Sequence, residues 1–192
     1  MKVRLTLLFS TIISISSIAQ ISFGVKGGVS LSDIRYEMLP SSLSTFLETK
    51  TSAGFYLGMF SEFRLSNTIS IIPEIQFSQR GYKLAYDGSN LTINYLELPV
   101  LLSFSVKKLG IDIGPNVSYR VSSTADIYKN FDFGLNGGLR LNLTNKLFVT
   151  GRYYYGISTI AEIDLRDQNN VPLGTVIFHN SSIQIGIGYK IK

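Results

Sequence analysis

The sequence contains no cysteine and no tryptophan among its 192 residues. The absence of cysteine excludes disulfides, thiolate catalysis and cysteine-ligated metal sites. Beyond residue 19 the sequence also lacks any apolar run long enough for a membrane-spanning helix. Any membrane crossing by the remaining chain must therefore be made by strands.

The first 19 residues differ in character from the rest. Lys2 and Arg4 form a short basic head, and Leu5–Ile18 is an uncharged, mostly apolar run that ends in Ser17-Ile18-Ala19. An anchoring helix needs roughly 20 strongly apolar residues, and this run is shorter and contains Ser and Thr. We therefore predict a secretory signal peptide over residues 1–19, cleaved before Gln20, and a single barrel domain over residues 20–192.

The charge balance is modest. Removal of Lys2 and Arg4 with the signal peptide lowers the formal charge from +5 to +3. So small a surplus, with acids and bases interspersed, argues against a nucleic-acid partner.

Strict alternation of apolar and polar residues dominates residues 20–192. In DFGLNGGLRLN, Phe133, Leu135 and Leu139 fall on one face, and Asp132 and Arg140 on the other. No stretch keeps a helical period. Eight such segments are predicted as strands, at 20–32, 51–65, 68–84, 91–106, 109–122, 132–143, 146–164 and 177–191.

The segments are long, and their connectors alternate in length. Strands of soluble domains usually run about five or six residues, whereas most of these exceed ten. Short connectors lie at 66–67, 107–108 and 144–145, and long ones at 33–50, 85–90, 123–130 and 165–176. Short turns on one rim and long loops on the other are typical of outer-membrane barrels, in which the short turns are periplasmic. The sequence predicts an all-β fold, an eight-stranded antiparallel up-and-down transmembrane β-barrel.

The polar face carries seven bases and five acids. Arg or Lys facing lipid at the midplane costs roughly 2–4 kcal/mol, so a set of seven would exceed a typical folding stability of about 5–15 kcal/mol. An eight-stranded barrel is just wide enough for side chains to fill it. We therefore predict a plugged lumen with a structural charge network of Lys26, Glu62, Arg64, Glu74, Arg80, Glu97, Asp112, Arg120, Asp132, Arg140, Arg152 and Lys190.

Two alternative proteins would show the same alternation of apolar and polar residues. A soluble periplasmic barrel of lipocalin type would place its apolar face inward around a ligand, and a small-solute porin would leave the lumen open. Strand length, rim asymmetry and aromatic content favour the membrane barrel. An interfacial girdle is expected from nine tyrosines near strand ends or on the outer face, namely Tyr36, Tyr82, Tyr86, Tyr95, Tyr119, Tyr128, Tyr153, Tyr155 and Tyr189. Bulges or bends are expected at Pro73, Pro99 and Pro115.

Candidates for chemistry are few. The single histidine, His179, has Ser181 and Ser182 close by and Asp164 and Asp167 in the preceding loop. A triad is recognised by geometry and not by proximity in sequence, and nothing here has motif-grade spacing. No calcium-loop or phosphate-loop pattern is present either. We expect no catalytic, cofactor or metal site, and a lipid-modifying enzyme using His179 is the rival hypothesis.

Several segments resemble a known family. FGVKGGVSLSDI, PEIQFSQRGYK, INYLELPVLLSFSV and FGLNGGLRLNLTNKLFVTGRYYYGIST are similar to the PorT-like outer-membrane β-barrel proteins, also called porin family proteins, of Bacteroidetes-type bacteria. The resemblance implies an eight-stranded barrel in the bacterial outer membrane, a periplasmic N-terminus and insertion by the barrel-assembly machinery. It makes a structural, adhesive or export-assembly role the expectation. We expect a monomer in contact with outer-membrane lipid, with a protein partner bound through the long loops.

Overall fold

Nine strands make up the described part of the chain in the computed structural model, which covers residues 20–39, 49–85, 88–166 and 169–191. The strands are β1 Gln20–Leu39, β2 Thr49–Arg64, β3 Ile69–Leu84, β4 Asn90–Val106, β5 Leu109–Ser123, β6 Phe131–Asn142, β7 Leu147–Gly156, β8 Ala161–Arg166 and β9 Pro172–Lys190. Within these ranges no helix has the length and hydropathy needed to cross a bilayer. The predicted signal peptide, Tyr86 and Asp167 lie outside the described residues.

The strands pair into one closed antiparallel sheet. Each strand from β1 to β7 pairs with the next one, β7 pairs with β9, and β9 returns to β1 to close the wall. β7 contacts one half of β9, from Tyr189 to Ser181, while β8 contacts the other half, from Phe178 to Pro172. β7 and β8 therefore lie end to end in one position of the wall, and the structure confirms the predicted eight-stranded barrel.

The prediction of one continuous strand over 146–164 is wrong, because the chain breaks at 157–160. Ile157 and Ser158 both donate their backbone N–H groups to the carbonyl of Phe133 in β6. Ile160 instead donates to the carbonyl of Phe178 and is fully buried. At the break the backbone hydrogen bonds therefore change from β6 to β9, and the side chain of Ile160 points into the barrel.

The wall extends further on the long-loop side than the pattern predicted. β1 continues to Leu39 instead of ending near residue 32, and β9 begins at Pro172 instead of 177. Outward residues change from Val29 and Leu31 to Asp33, Arg35 and Glu37 along β1, so these added residues lie beyond the apolar band. We call this extension the collar.

Apolar side chains face outward and charged ones inward. Leu139 is 62% exposed, whereas the adjacent Arg140 is 3% exposed. The outward band runs from Ile21 to Leu31 on β1 and from Ile183 to Ile191 beside it. These lengths match the roughly 9–11 residues that a strand needs to cross the hydrocarbon core.

Aromatic residues border this band on both sides, although not all those predicted. Tyr119, Tyr153, Tyr155 and Tyr189 are exposed on the outer face, as expected of girdle residues. The prediction is wrong for Tyr82, Tyr95 and Tyr128, which are buried inside the barrel. Alternation identifies a face only within regular strand, and Tyr128 lies in the β5–β6 loop. Tyr36 also packs against the interior of the collar.

The prolines do not create bulges in these pairings, so the prediction of bulges is wrong. The register of β3 with β4 has the same offset on both sides of Pro73 and Pro99, and that of β5 with β6 is constant through Pro115. Pairing is instead skipped for two residues, as between Phe60↔Glu74 and Phe63↔Ile71 beside Pro73. A missing N–H removes a ladder bond without requiring an extra residue. The register shifts among the described strands lie elsewhere, between Thr51 and Tyr56, between Asn94 and Tyr95, and between Leu165 and Arg166.

Candidate functional site: the filled lumen

Ten of the twelve predicted network residues lie inside the barrel and form three ionic clusters at different heights. The lower cluster, nearest the short turns, contains Glu62, Asp112, Arg140 and Lys190. The middle cluster contains Lys26, Glu74 and Arg152. The upper cluster contains Arg80, Glu97 and Asp132. These are five bases and five acids, so the lumen charge balances.

The middle cluster is the most tightly bonded of the three. Arg152 of β7 donates to both carboxylate oxygens of Glu74 in β3, at 2.7 and 3.0 Å. Lys26 of β1 donates to the same carboxylate at 2.6 Å. β3 and β7 are four positions apart in an eight-membered wall, so the bidentate Arg152–Glu74 pair spans the lumen. Such planar, bidentate pairs are the stronger charge-assisted hydrogen bonds.

The upper cluster is held by amides, hydroxyls and aromatic rings. Arg80 lies 2.6 Å from a carboxylate oxygen of Glu97 and 3.4 Å from one of Asp132. The Arg80 guanidinium also lies 3.8 Å from the centroid of the Tyr154 ring. Further donors reach the carboxylates from around the wall: Gln76, Ser78 and Asn116 donate to Glu97, and Ser158 and Asn180 to Asp132. Five neutral donors and the Arg80 guanidinium therefore surround the two carboxylates of this cluster.

The lower cluster is bonded more loosely. Arg140 of β6 lies 3.4 Å from Glu62 of β2 and 3.5 Å from Asp112 of β5, and its shortest contact is 2.6 Å to the hydroxyl of Ser103. Glu62 has a shorter partner in Lys190, at 2.6 Å. The Arg140–Glu62 pair also joins two strands, β6 and β2, that lie four positions apart in the wall. The lumen is thus crossed by two Arg–Glu pairs at two heights.

The two remaining predicted residues, Arg64 and Arg120, lie at opposite ends of the barrel. Arg64 is exposed at the short-turn mouth. Arg120 donates to Ser123 at 2.8 Å and to Asn130 at 2.9 Å, and lies 4.0 Å from Asp126. Arg120 therefore holds the β5–β6 loop at the other end.

Apolar side chains also fill part of the lumen, and the sequence reasoning missed them. Phe60, Ile72, Leu101 and Phe148 form a buried cluster between the lower and middle ionic clusters. A Cβ added at Gly188 would overlap the Phe148 ring, and one at Gly24 would overlap Phe60. A glycine on the neighbouring strand opposite an inward aromatic was the signal that could have identified this packing.

A second apolar cluster fills the collar. Its buried members are Ile34, Tyr82, Ile93, Tyr95, Tyr128, Ile160, Ala161, Val176 and Phe178. The hydroxyls of Tyr82 and Tyr128 are hydrogen-bonded at 2.9 Å. Burial raises the pKa of both phenols, and for Tyr128 the hydrogen bond to Tyr82 raises it further. The cluster therefore closes the long-loop end of the barrel with neutral side chains.

The geometry around His179 does not form a triad. The Nδ1 atom of His179 is 2.9 Å from the backbone carbonyl oxygen of Ser158. Ser181 donates its hydroxyl to the carbonyl of Asp33, while Ser182 points into the lumen. Asp164 accepts from Thr175. Across the described ranges no group of three His, Asp or Glu residues could hold a metal ion.

This chain is similar to known outer-membrane β-barrel proteins. The family model described as "Outer membrane protein beta-barrel domain" matches residues 16–162. The crystal structure of Neisserial surface protein A is similar, at 13% identity over 90% of this chain and 99% of that chain, with a TM-score of 0.53. The attachment invasion locus protein of Yersinia pestis, in complex with the heparin analogue sucrose octasulfate, is 14% identical over 90% and 99% of the two chains, with a TM-score of 0.51. No curated protein matches the sequence.

Proposed function

Because the chain belongs to the outer membrane protein β-barrel domain family and is a protein of the bacterial outer membrane, we propose that it is a non-enzymatic, non-conducting barrel that presents a surface for a protein partner outside the cell. Fold alone does not supply this role; the lumen and the collar support it. The two rival roles, solute conduction and apolar-ligand binding, both require unfilled space in the barrel interior.

The filled lumen carries the proposal. Buried Arg, Lys, Asp and Glu side chains form clusters at three heights, and the Arg152–Glu74 and Arg140–Glu62 pairs cross the barrel at two of them. Conduction requires an uninterrupted water path, and a lipocalin-type site requires an apolar cavity. Ionic and apolar side chains occupy the space that either of those functions would use.

The collar supports an outward-facing role. A barrel that served only as an anchor could end at the apolar band, yet β1 continues from Leu31 to Leu39 and β9 from Ile183 back to Pro172. The apolar cluster that includes Ile93 and Tyr95 fills this extension. A rigid wall holds loops in fixed relative positions, which lowers the entropic cost of binding a macromolecule.

The specific setting that we propose is adhesion or an export assembly, and it rests on the resemblance to PorT-like proteins described above. The continuous apolar band fits a monomer surrounded by outer-membrane lipid and inserted by the barrel-assembly machinery. The His179 contacts favour a structural role for that side chain, because its Nδ1 faces a carbonyl and not a serine hydroxyl.

The test uses the source bacterium. A strain lacking the protein is complemented with the full chain or with a variant in which residues 166–172, at the tip of the β8–β9 hairpin, are replaced by Asn-Gly. We expect the variant to fold, shown by heat-modifiable migration, but to lose surface attachment or to alter the set of secreted proteins.

Three results would contradict the proposal. The deletion strain could match the wild type in both attachment and secretion. Planar-bilayer recordings of the purified protein could show steady ohmic steps. A His179→Ala strain could show a changed lipid profile, which would favour the enzyme instead.

A further inference from the structure

A polar cleft opens at the short-turn mouth of the barrel. Its volume is about 390 Å³, and it lies between the turns that follow β2, β4 and β6. The charged side chains that line it are Glu62, Arg64, Lys107, Arg140 and Lys190. Since short turns of such barrels are periplasmic, the cleft faces the periplasm, on the rim opposite the collar.

The charge of this cleft differs from that of the lumen above it. Four cations line the cleft. Glu62 and Asp112 balance the charges of Arg140 and Lys190 within the lower cluster, so Arg64 and Lys107 give the cleft a surplus of two positive charges. Glu62 is already paired with Lys190 at 2.6 Å. Concave, partly enclosed surfaces lined by one sign of charge concentrate the field and attract counter-ions.

Arg140, on the floor of the cleft, has unused hydrogen-bonding capacity. Its carboxylate partners lie at 3.4 and 3.5 Å, longer than the 2.7 and 3.0 Å of the Arg152–Glu74 pair. The Nε atom of Arg140 is buried and has no hydrogen-bond partner among the described residues. Charge-assisted hydrogen bonds to a guanidinium are normally about 2.7–2.9 Å long, so Arg140 is incompletely satisfied by the protein.

Neutral donors complete the lining. Hydroxyl and amide side chains from the turns after β2 and β6, including Thr68, Asn67 and Asn145, face the cleft beside the cations. The Thr144 hydroxyl oxygen accepts from the backbone N–H groups of Lys146 and Leu147, so its proton is free to donate outward. Converging cations and neutral donors are the groups that bind phosphate oxygens.

We propose that this cleft is a periplasmic binding site for a phosphate-class oxyanion, with Arg64, Lys107, Arg140 and Lys190 supplying the charge. A diphosphate suits the surplus of two positive charges better than a single carboxylate does. The phosphate can belong to a soluble ester in the periplasm or to a lipid headgroup of the inner leaflet, because both present the same oxygens.

The test is calorimetric titration of the folded, full-length barrel in zwitterionic detergent with inorganic pyrophosphate. Two neighbouring lysines give a matched pair of variants: Lys107 lines the cleft, whereas Lys108 does not. Lys107 has a positive φ of 55°, so Asn, which tolerates that conformation, is the replacement of choice. Loss of one charged contact is expected to weaken binding about tenfold in Lys107→Asn and not in Lys108→Asn.

Other results would overturn the site. Absence of saturable pyrophosphate binding at low ionic strength would do so, as would equal weakening by Lys107→Asn and Lys108→Asn, which indicates diffuse attraction to a basic rim. Heat-modifiable migration of each variant shows that a lost signal is not lost folding.

The source of the phosphate is resolved in nanodiscs. If phosphatidylglycerol in the disc prevents pyrophosphate binding and phosphatidylcholine does not, the ligand is a lipid headgroup. If binding is the same in both, the ligand is soluble. Because the cleft and the collar lie on opposite rims, this result is independent of attachment and secretion.

Discussion

At the scale of single residues, Glu74 is the one acid of the middle cluster and pairs with both of its bases. It accepts two hydrogen bonds from Arg152 and one from Lys26, and all three side chains are buried. An ion removed from water is stable only when its partners remain in place, and breaking a buried pair typically costs about 3–5 kcal/mol.

We therefore expect Glu74→Gln to destabilise the barrel by about 3–5 kcal/mol, because Lys26 and Arg152 would then be buried side by side without a counter-charge. The measurement is the free energy of unfolding in urea, in lipid vesicles. The matched control is Glu162→Gln, which removes the half-exposed Lys129–Glu162 pair and should change stability by at most about 1 kcal/mol. Equal effects of the two substitutions would contradict this role of Glu74.

Single-residue patterns were sufficient to predict the direction of most side chains. Period-two alternation distinguished outward Leu139 from inward Arg140 because one face of each strand meets lipid. The same rule could not locate Phe60, Ile72, Leu101 and Phe148, since an apolar residue on a polar face has the same pattern whether it packs inside or lies at a bend. Alternation also gives no height along the barrel, so the sorting of charges into three clusters was not predictable.

At the scale of elements, the collar depends on the β5–β6 loop. Tyr128 from that loop inserts among residues of β1, β3, β4, β8 and β9 and bonds to Tyr82. Sequence reasoning placed both tyrosines in the outer girdle, although Tyr82 lies in β3 on the same face as the inward Arg80. Tyr128 could not be placed by alternation, because loop residues have no periodicity from which burial can be inferred. The break between β7 and β8 was missed for the same reason: it is determined by contacts of Ile160 with β9.

The collar should loosen at high pH. Burial raises the pKa of Tyr82 and Tyr128, so the neutral phenols stabilise the folded state. That stabilisation is complete below the unfolded tyrosine pKa of about 10 and is lost as the pH rises through the higher folded values. Subtracting the phenolate absorbance of the Tyr128→Phe variant from that of the wild type isolates the titration of Tyr128. We expect this difference to rise only above about pH 10. Over the same pH range, proteolysis of the β5–β6 loop should become faster. A difference titration centred at or below pH 10 would contradict the buried pair.

At the scale of the whole molecule, the orientation of the barrel is open to direct measurement. The sequence contains no cysteine, so single cysteines can be labelled without background. Asp126→Cys lies in a long loop and Asn145→Cys in a short turn, and both positions are exposed. A membrane-impermeant maleimide on intact cells should label the first variant and label the second only after the outer membrane is opened. The reverse pattern would place the basic cleft outside the cell.

The cross-lumen pairs can form only at a late stage of barrel assembly. Arg152 and Glu74 are 78 positions apart in sequence, as are Arg140 and Glu62, and each pair joins opposite walls. Neither pair can form in a hairpin or in a half-assembled sheet, so an incomplete barrel would carry unmatched charges into the bilayer. Desolvation of the interior thus becomes favourable only when β1 meets β9. We therefore expect truncated or misregistered chains, which cannot form both pairs, to insert into the bilayer less readily than the full chain.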